Sequence, residues 1–171
     1  METTVPDVEP CPGCARPYPR SQGATHAYIG ASAGCWAAYG ELLALEYGNP
    51  RLMRWHRLTV DAYTAQHPGL PERRSAQSVH VHLCGLYLVL ERGMEPPAVA
   101  RAMQRLADGR VYEWLPPPPL ATDTGLAEAI AAAAGGGYGP AVRAWAEAVW
   151  RAWAPHHPTI RAEAERALTS H

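Results

Sequence analysis

Apolar residues recur with the period of an α-helix along most of the chain after residue 32. Ser32 is a suitable N-cap for the first of these segments, and Gly48 followed by Pro50 ends it. The helices expected further along the chain cover residues 51–66, 72–91, 96–108, 124–134 and 140–153, with a polar last helix after residue 158. We find no convincing strand and no internal repeat. The pattern therefore predicts an all-α fold, a helical bundle of about six helices.

The N-terminal part of the chain differs from the rest. Residues 1–32 show no periodicity and are rich in proline and glycine, so they cannot form a helix. We expect residues 1–32 to be a metal-binding loop region packed on the helical body, and residues 33–171 to be a single helical domain. The run Pro116–Pro119 must be extended, and we interpret it as a stiff connector.

The third predicted helix has a clear apolar face. Its stripe consists of Val79, Leu83, Leu86 and Leu90. His82 falls within this stripe, whereas His80 lies about 200° away around the helix axis. We therefore expect His82 to face inward, towards the second helix, and His80 to face outward.

Composition and charge narrow the class of protein. The chain has 171 residues, 47% of them apolar and 18% charged, which is enough apolar material for one core. No stretch approaches the ~20 apolar residues of a membrane-spanning helix, and the acidic start lacks the apolar region of a secretory signal. The formal net charge of -1 argues against nucleic acid as a partner and leaves a small molecule or a protein. Four cysteines without a secretory signal favour a reducing compartment, the cytoplasm.

Three cysteines and a histidine follow the spacing Cys11-x2-Cys14-x11-His26-x8-Cys35. Two cysteines separated by proline and glycine can form a turn that directs both sulfurs to one point, as in structural zinc sites. Cys35 falls in the first turn of the first helix, where backbone N–H groups and the helix dipole favour a thiolate. With His26 as the fourth ligand, the sequence predicts a closed zinc site that leaves no coordination position for water.

Other interpretations of the cysteines stay open at this point. Iron suits the same thiolate-rich set of ligands as zinc. Cys11 and Cys14 could form a redox pair, although such a pair normally opens a helix after a strand. The cysteines could also be unligated, and His26 could be a loop histidine bonded to the backbone. Cys84, among apolar residues of the third helix, is expected to be a small buried side chain.

A polar pocket between the second and third helices is the alternative location for chemistry. Its candidate residues are His56, Tyr63, Gln66, His67, Gln77 and His82. These residue types can hold a ligand, move a proton or bind a catalytic metal. Asp61 is expected to pair with Arg57, one helical turn earlier. No HExxH, nucleophile elbow, P-loop or GxGxxG motif is present, so no catalytic residue is assigned.

Four segments carry a resemblance to a known family. They are THAYIGASAGCWAAYGE, HRLTVDAYTAQHPG, QSVHVHLCGLYLVLERG and AVRAWAEAVWRAW. Together they resemble a family of small proteins from GC-rich bacteria that is known as a domain of unknown function. The resemblance implies a small stand-alone bacterial protein and carries no activity, cofactor or catalytic residue.

The sequence thus favours a small cytosolic metal-binding protein, all-α, with structural zinc and a binding or accessory role. The alternative is a metal-dependent or acid/base enzyme that uses the polar pocket.

Overall fold

A computed structural model describes residues 7–108 and 110–169, and most of these residues are helical. The elements in chain order are β1 (Val8–Pro10), β2 (Pro17–Pro19), α1 (Ala33–Tyr47), α2 (Pro50–Met53), α3 (His56–Gln66), α4 (Arg73–Leu90), α5 (Pro96–Ala107), α6 (Leu126–Ala133), α7 (Tyr138–Ala152) and α8 (His157–Thr169), with a turn of 3-10 helix (Ala154–His156) before α8. The all-α class is confirmed, with eight α-helices in the described ranges where about six were expected.

Local capping explains where the first helices begin. The Ser32 side chain accepts a hydrogen bond from the backbone N–H of Cys35 at 3.2 Å, so Ser32 caps α1 as predicted. Asn49 caps α2 in the same way through the N–H of Arg51, and Pro50 occupies the first turn, where proline is tolerated.

Two local features differ from the prediction. The helix expected over residues 51–66 is interrupted at Arg54 and Trp55, and the Trp55 ring lies so close to Gly139 of α7 that a side chain there would collide with it. The expectation of no strand is also wrong, because β1 and β2 form a short antiparallel pair around the first two cysteines. Each strand has only three residues, too few for a detectable alternation of polar and apolar positions.

Helix α3 lies at the centre of the molecule, packed between α4 and α7. Every residue from 61 to 66 is buried, and several of them are polar. Buried polar groups need hydrogen-bond partners, and the side chain of Gln66 shows how this requirement is satisfied. Its amide nitrogen donates to the carbonyl oxygen of Leu120 and to the Thr122 hydroxyl, while its carbonyl oxygen accepts from the Trp145 indole at 2.8 Å.

His82 of α4 contacts the second predicted helix through Asp61, as expected, but the burial predicted for the two histidines is wrong. His80 is buried, whereas the His82 side chain remains 20% exposed. Helices α3, α5, α7 and α8 all pack on α4, so the face opposite the predicted stripe is also covered. His80 Nδ1 lies 2.7 Å from Glu163 of α8, and its Nε2 lies 2.9 Å from the carbonyl oxygen of Glu113.

The last helix is better packed than its polar sequence suggests. Helix α8 contacts α4 and α5 and buries Ile160 completely. The run Pro116–Pro119 has no regular secondary structure and is flanked by the buried side chains of Leu115 and Leu120, as fits a connector. Within the described residues, no helix combines the length and apolar character that a membrane crossing needs.

Candidate metal centre

The turn between β1 and β2 holds the first two cysteines. The backbone N–H of Cys11 donates to the carbonyl oxygen of Arg16, and the N–H of Ala15 donates to the carbonyl oxygen of Cys11, both at 2.9 Å. Ala15 adopts a positive φ of 60°, which is uncommon for a residue with a side chain. These bonds close the turn tightly and bring the Cys11 and Cys14 sulfurs towards the same point.

Gly13 lets this turn approach the end of α3. A Cβ at position 13 would lie 2.5 Å from the ring of His67 and 2.8 Å from the carbonyl oxygen of Gln66. Only glycine leaves room for such an approach. The sequence Cys-Pro-Gly-Cys therefore forms the turn and also brings it against α3.

Cys35 is fixed by the start of α1 and is fully buried. Its backbone N–H is held by Ser32, and the N–H of Ser32 itself donates to the sulfur of Cys11 at 3.5 Å. The same residue thus caps the helix and stabilises negative charge on a neighbouring sulfur. The expectation that Cys35 belongs to the first turn of a helix is confirmed.

His67 follows the last residue of α3 and completes the group. Its Nδ1 lies 2.7 Å from the carbonyl oxygen of Tyr63, one turn earlier, and must donate to it because a carbonyl only accepts. The other ring nitrogen, Nε2, lies 3.4 Å from the sulfur of Cys35. Metal-binding histidines commonly use such a backbone carbonyl to orient the ring.

Cys11, Cys14, Cys35 and His67 form one compact group, which we call the Cys3His cluster. Their four ligand atoms all lie within 4.8 Å of one another, and all four residues are buried. The cluster is close enough to hold a metal ion. It joins the strand pair, the start of α1 and the end of α3.

Hydrogen bonds within the cluster govern its titration in the absence of metal. Hydrogen bonds with Cys14 and Cys35 lower the pKa of the Cys11 thiol, while those with Cys11 and Cys14 raise the pKa of the Cys35 thiol. One sulfur therefore ionises while its neighbour keeps its proton. Burial lowers the pKa of His67, but hydrogen bonds to Cys11 and Cys14 outweigh burial and raise it to about 9.

Two tyrosines surround the sulfurs. The Tyr63 ring is stacked between Tyr39, at a centroid distance of 3.7 Å, and His67, at 4.1 Å. Its hydroxyl lies 3.5 Å from the sulfur of Cys35. The Tyr18 hydroxyl is buried without a hydrogen-bond partner among the described residues. Burial raises the pKa of both hydroxyls, so each keeps its proton.

The structure places His26 outside the cluster, which corrects its assignment as the fourth ligand. His26 Nδ1 accepts a long hydrogen bond of 3.5 Å from the backbone N–H of Tyr28, and its ring lies against those of Tyr28 and Trp36. His26 therefore matches the alternative interpretation, a loop histidine bonded to the backbone. His67, which the sequence assigned to the polar pocket, takes the fourth position.

The six residues expected in one polar pocket are distributed over several sites. Tyr63 and His67 belong to the surroundings of the sulfurs, and Gln66 holds the segment around residues 120–122. The other three have separate partners, listed here in chain order: His56 contacts Glu46 at 2.6 Å, Gln77 donates to the carbonyl oxygen of Ala107 at 2.6 Å, and His82 contacts Asp61 at 2.7 Å. The six residues share no common pocket: those on α3 and at its end face different partners, while Gln77 and His82 of α4 line one surface depression.

Sequence reasoning missed His67 as a partner of the cysteines. It lies 32 residues after Cys35, so no local spacing connects the two. The available signal was its position at a helix end followed by Pro68 and Gly69, a place where the chain turns and a ring can point away from its helix. Cys84, in contrast, lies where it was expected: it is fully buried, and its thiol faces the carbonyl oxygen of Ile160.

Fold and site together define a helical protein with a buried Cys3His cluster that could bind a metal. Residues 9–154 match the model of a family of unknown function, DUF5946, and the chain therefore belongs to this family. The matched range contains the whole cluster, and it confirms the resemblance described above without implying an activity. No curated protein and no solved structure matches the chain.

Proposed function

We propose that the Cys3His cluster binds one zinc ion, and that the ion holds the N-terminal segment, defined as residues 7–32, against the helical body, defined as the described residues from 33 to 169. The observation that carries this proposal is the convergence of four buried ligand atoms within 4.8 Å of one another. Three thiolates and one imidazole nitrogen are a preferred ligand set for structural zinc. Iron is the second candidate metal, because thiolate-rich tetrahedral sites also suit it.

The ligand set supports a structural role for the metal. Four protein ligands complete a tetrahedron, whereas catalytic zinc sites keep one position for water or substrate. The backbone carbonyl of Tyr63 orients His67, and Ser32 supports Cys11, as expected of partners that hold ligands in place. The protein would then act through binding, in an accessory role, with the metal maintaining its shape.

The net charge and the state of the cysteines indicate the compartment and the binding partner of such a protein. All four cysteines are free, which fits the reducing cytoplasm. The near-neutral net charge of -1 gives no general attraction for nucleic acid, so a small molecule or another protein is the proposed partner.

Metal analysis of two histidine variants tests the proposal. We expect about one zinc per chain in the purified protein and in His26→Ala, and a large loss of metal in His67→Ala. The two variants are a matched pair because both remove a histidine near the N-terminal segment, and only His67 lies in the cluster. Equal metal content in the two variants would contradict the proposed ligand set.

Cobalt substitution gives an independent measurement. Cobalt bound to three thiolates in a tetrahedral site should show strong visible bands and a sulfur-to-metal charge-transfer band. These bands should lose intensity in Cys35→Ser and remain unchanged in Cys84→Ser. A cobalt spectrum typical of six oxygen or nitrogen ligands would exclude the cluster as the binding site.

A further inference from the structure

A second polar group lies on the other side of α3, around the carboxylate of Asp61. Asp61 is completely buried. Arg57 binds both of its oxygens, at 3.1 Å and 2.5 Å, and His82 Nδ1 lies 2.7 Å from Oδ1. The predicted pair of Arg57 and Asp61 is therefore present, and His82 is added to it from α4.

The contacts of His82 determine where its proton lies. Nδ1 also lies 3.4 Å from Arg57, which is a donor, but the much shorter contact with the Asp61 carboxylate requires a proton on Nδ1. In the neutral ring the lone pair is then on Nε2. None of the hydrogen bonds between described residues uses Nε2. With Nδ1 held against buried Asp61, the opposite edge of the ring is the one that faces outward.

Gly85 makes this arrangement possible. A Cβ at position 85 would collide with the Asp61 carboxylate. Glycine in the middle of a helix destabilises it relative to alanine, and here it gives the carboxylate its place between α3 and α4. The position of Asp61, and through it the orientation of His82, therefore depends on a glycine of the partner helix.

His82 lines an open depression of about 320 Å³ on the surface, which we call the His82 depression. This volume is at the lower end of the range of small-molecule sites. Arg74 and Ser78, which precede His82 on α4 by two turns and one turn, also line it. Arg74 is exposed and forms no ion pair with any described residue, so its positive charge is uncompensated.

The N-terminal segment supplies the facing wall of the depression through Tyr28. The chain after Tyr28 is held against the end of α3, because Ile29 pairs with Pro68 and the N–H of Gly30 donates to the carbonyl oxygen of His67 at 2.9 Å. The depression is thus formed by both parts of the molecule.

We propose that the His82 depression binds a small anion that keeps a hydroxyl at neutral pH, such as hydrogen phosphate. A charged oxygen of the ligand pairs with Arg74, and its hydroxyl donates a hydrogen bond to Nε2 of His82. Asp61 and Arg57 do not touch the ligand and act as positioning residues that hold the ring. The depression has room for a metabolite of a few non-hydrogen atoms.

Nuclear magnetic resonance with inorganic phosphate as the probe tests this proposal. Long-range proton–nitrogen spectra at mildly alkaline pH should show His82 protonated on Nδ1, the less common form of a free histidine. Titration with phosphate should shift the His82 Nε2 signal in a saturable manner. Arg74→Gln should raise the dissociation constant for phosphate about tenfold, as expected for the loss of one charge-assisted hydrogen bond. Arg73→Gln is the matched control, since Arg73 is also exposed but does not line the depression.

Three outcomes would overturn the proposal. A His82 ring protonated on Nε2 would remove the acceptor. If no saturable shift is seen at His82, phosphate does not bind in the depression. If both arginine variants weaken phosphate binding equally, the effect is one of general charge. Circular dichroism of both variants checks that each retains the fold. The assay does not depend on the identity of the metal.

Discussion

The N-terminal segment and the helical body are stabilised by different forces. In the segment, few side chains are buried, and two of them are the cysteines Cys11 and Cys14. In the body, large apolar side chains such as Trp145, Trp153 and Leu86 are completely enclosed. Burial of such side chains stabilises the body by about 1.5–3 kcal/mol each. The segment has no comparable apolar material, so the proposed metal would supply the stabilisation that packing supplies in the body.

The Cys3His cluster connects the two regions, because each contributes half of it. Cys11 and Cys14 come from the segment, whereas Cys35 and His67 come from helix ends of the body. Weaker polar contacts accompany the cluster, among them the ion pair of Arg16 with Glu128 at 2.7 Å. Four predictions, from the largest expected effect to the smallest, test this division.

Cys14→Ser should destabilise the protein far more than Cys84→Ser. The first change removes a ligand from a site whose binding free energy can total ~10 kcal/mol or more. The second only places a hydroxyl where a buried thiol packs, at a cost of about 1–3 kcal/mol. Thermal unfolding of the two variants measures the difference. A larger loss for Cys84→Ser would mean that packing, and not metal, dominates the whole molecule.

Removal of the metal should release the N-terminal segment before the helical body unfolds. We expect trypsin to cut after Arg20 once a chelator is added, whereas the bond between Arg16 and Pro17 resists trypsin because a proline follows the arginine. The Arg20 side chain is 56% exposed, and its ion pairs among the described residues are with Asp7 and Glu9, so it becomes accessible when the turn opens. Mass spectrometry of the fragments over time provides the measurement. Simultaneous digestion of both regions would show that they fold as one unit.

Gly85→Ala should destabilise the helical body without loss of metal. The added methyl group displaces Asp61, and overpacking of this kind costs about 1–3 kcal/mol. Gly40→Ala in α1 is the matched control: a Cβ there would meet nothing within 4 Å beyond the adjacent backbone of its own helix, so alanine should stabilise the helix by about 0.5–1 kcal/mol. Denaturant midpoints and metal content of both variants give the two readouts. Shifts in the same direction would contradict the packing around Asp61.

Arg16→Gln should have the smallest effect. It removes an ion pair in which the side chains of Arg16 and Glu128 are 26% and 40% exposed. Exposed pairs of this kind stabilise by below about 1 kcal/mol because water and salt screen them. The melting temperature should change little, and zinc content should stay at one per chain. Loss of zinc in this variant would show that the ion pair, rather than the ligands, holds the segment.

Much of the fold could be predicted from local features. Ser32 caps α1, Pro50 lies in the first turn of the next helix, and the boundaries of α4 fall within one residue of the expected segment 72–91. Such features act within a few residues, so the order of the chain is sufficient to find them. The cysteine turn follows the same logic, since Pro12 and Gly13 lie between its two cysteines.

The orientation of side chains on buried helices depended on distant partners. The apolar stripe of α4 placed His82 inside, but α8 covers the face with His80 and leaves His82 at the edge of a depression. A helix surrounded on several sides has no single buried face, and its period then gives no unique orientation. The expected pocket does not form for the same reason, since His56 and His82 each contact a different carboxylate.

The sequence by itself determined most of the helices and the three cysteines of the cluster, because caps, turns and the Cys-x2-Cys spacing are local. Only the tertiary structure decided the fourth member of the cluster. His26 lies closer to the cysteines along the chain, but its ring is held by Tyr28 and Trp36 in the loop. His67 is distant in sequence, yet the end of α3 and the room left by Gly13 bring its Nε2 to the sulfurs. A metal site is closed by the geometry of packed elements, and sequence spacing does not contain that geometry.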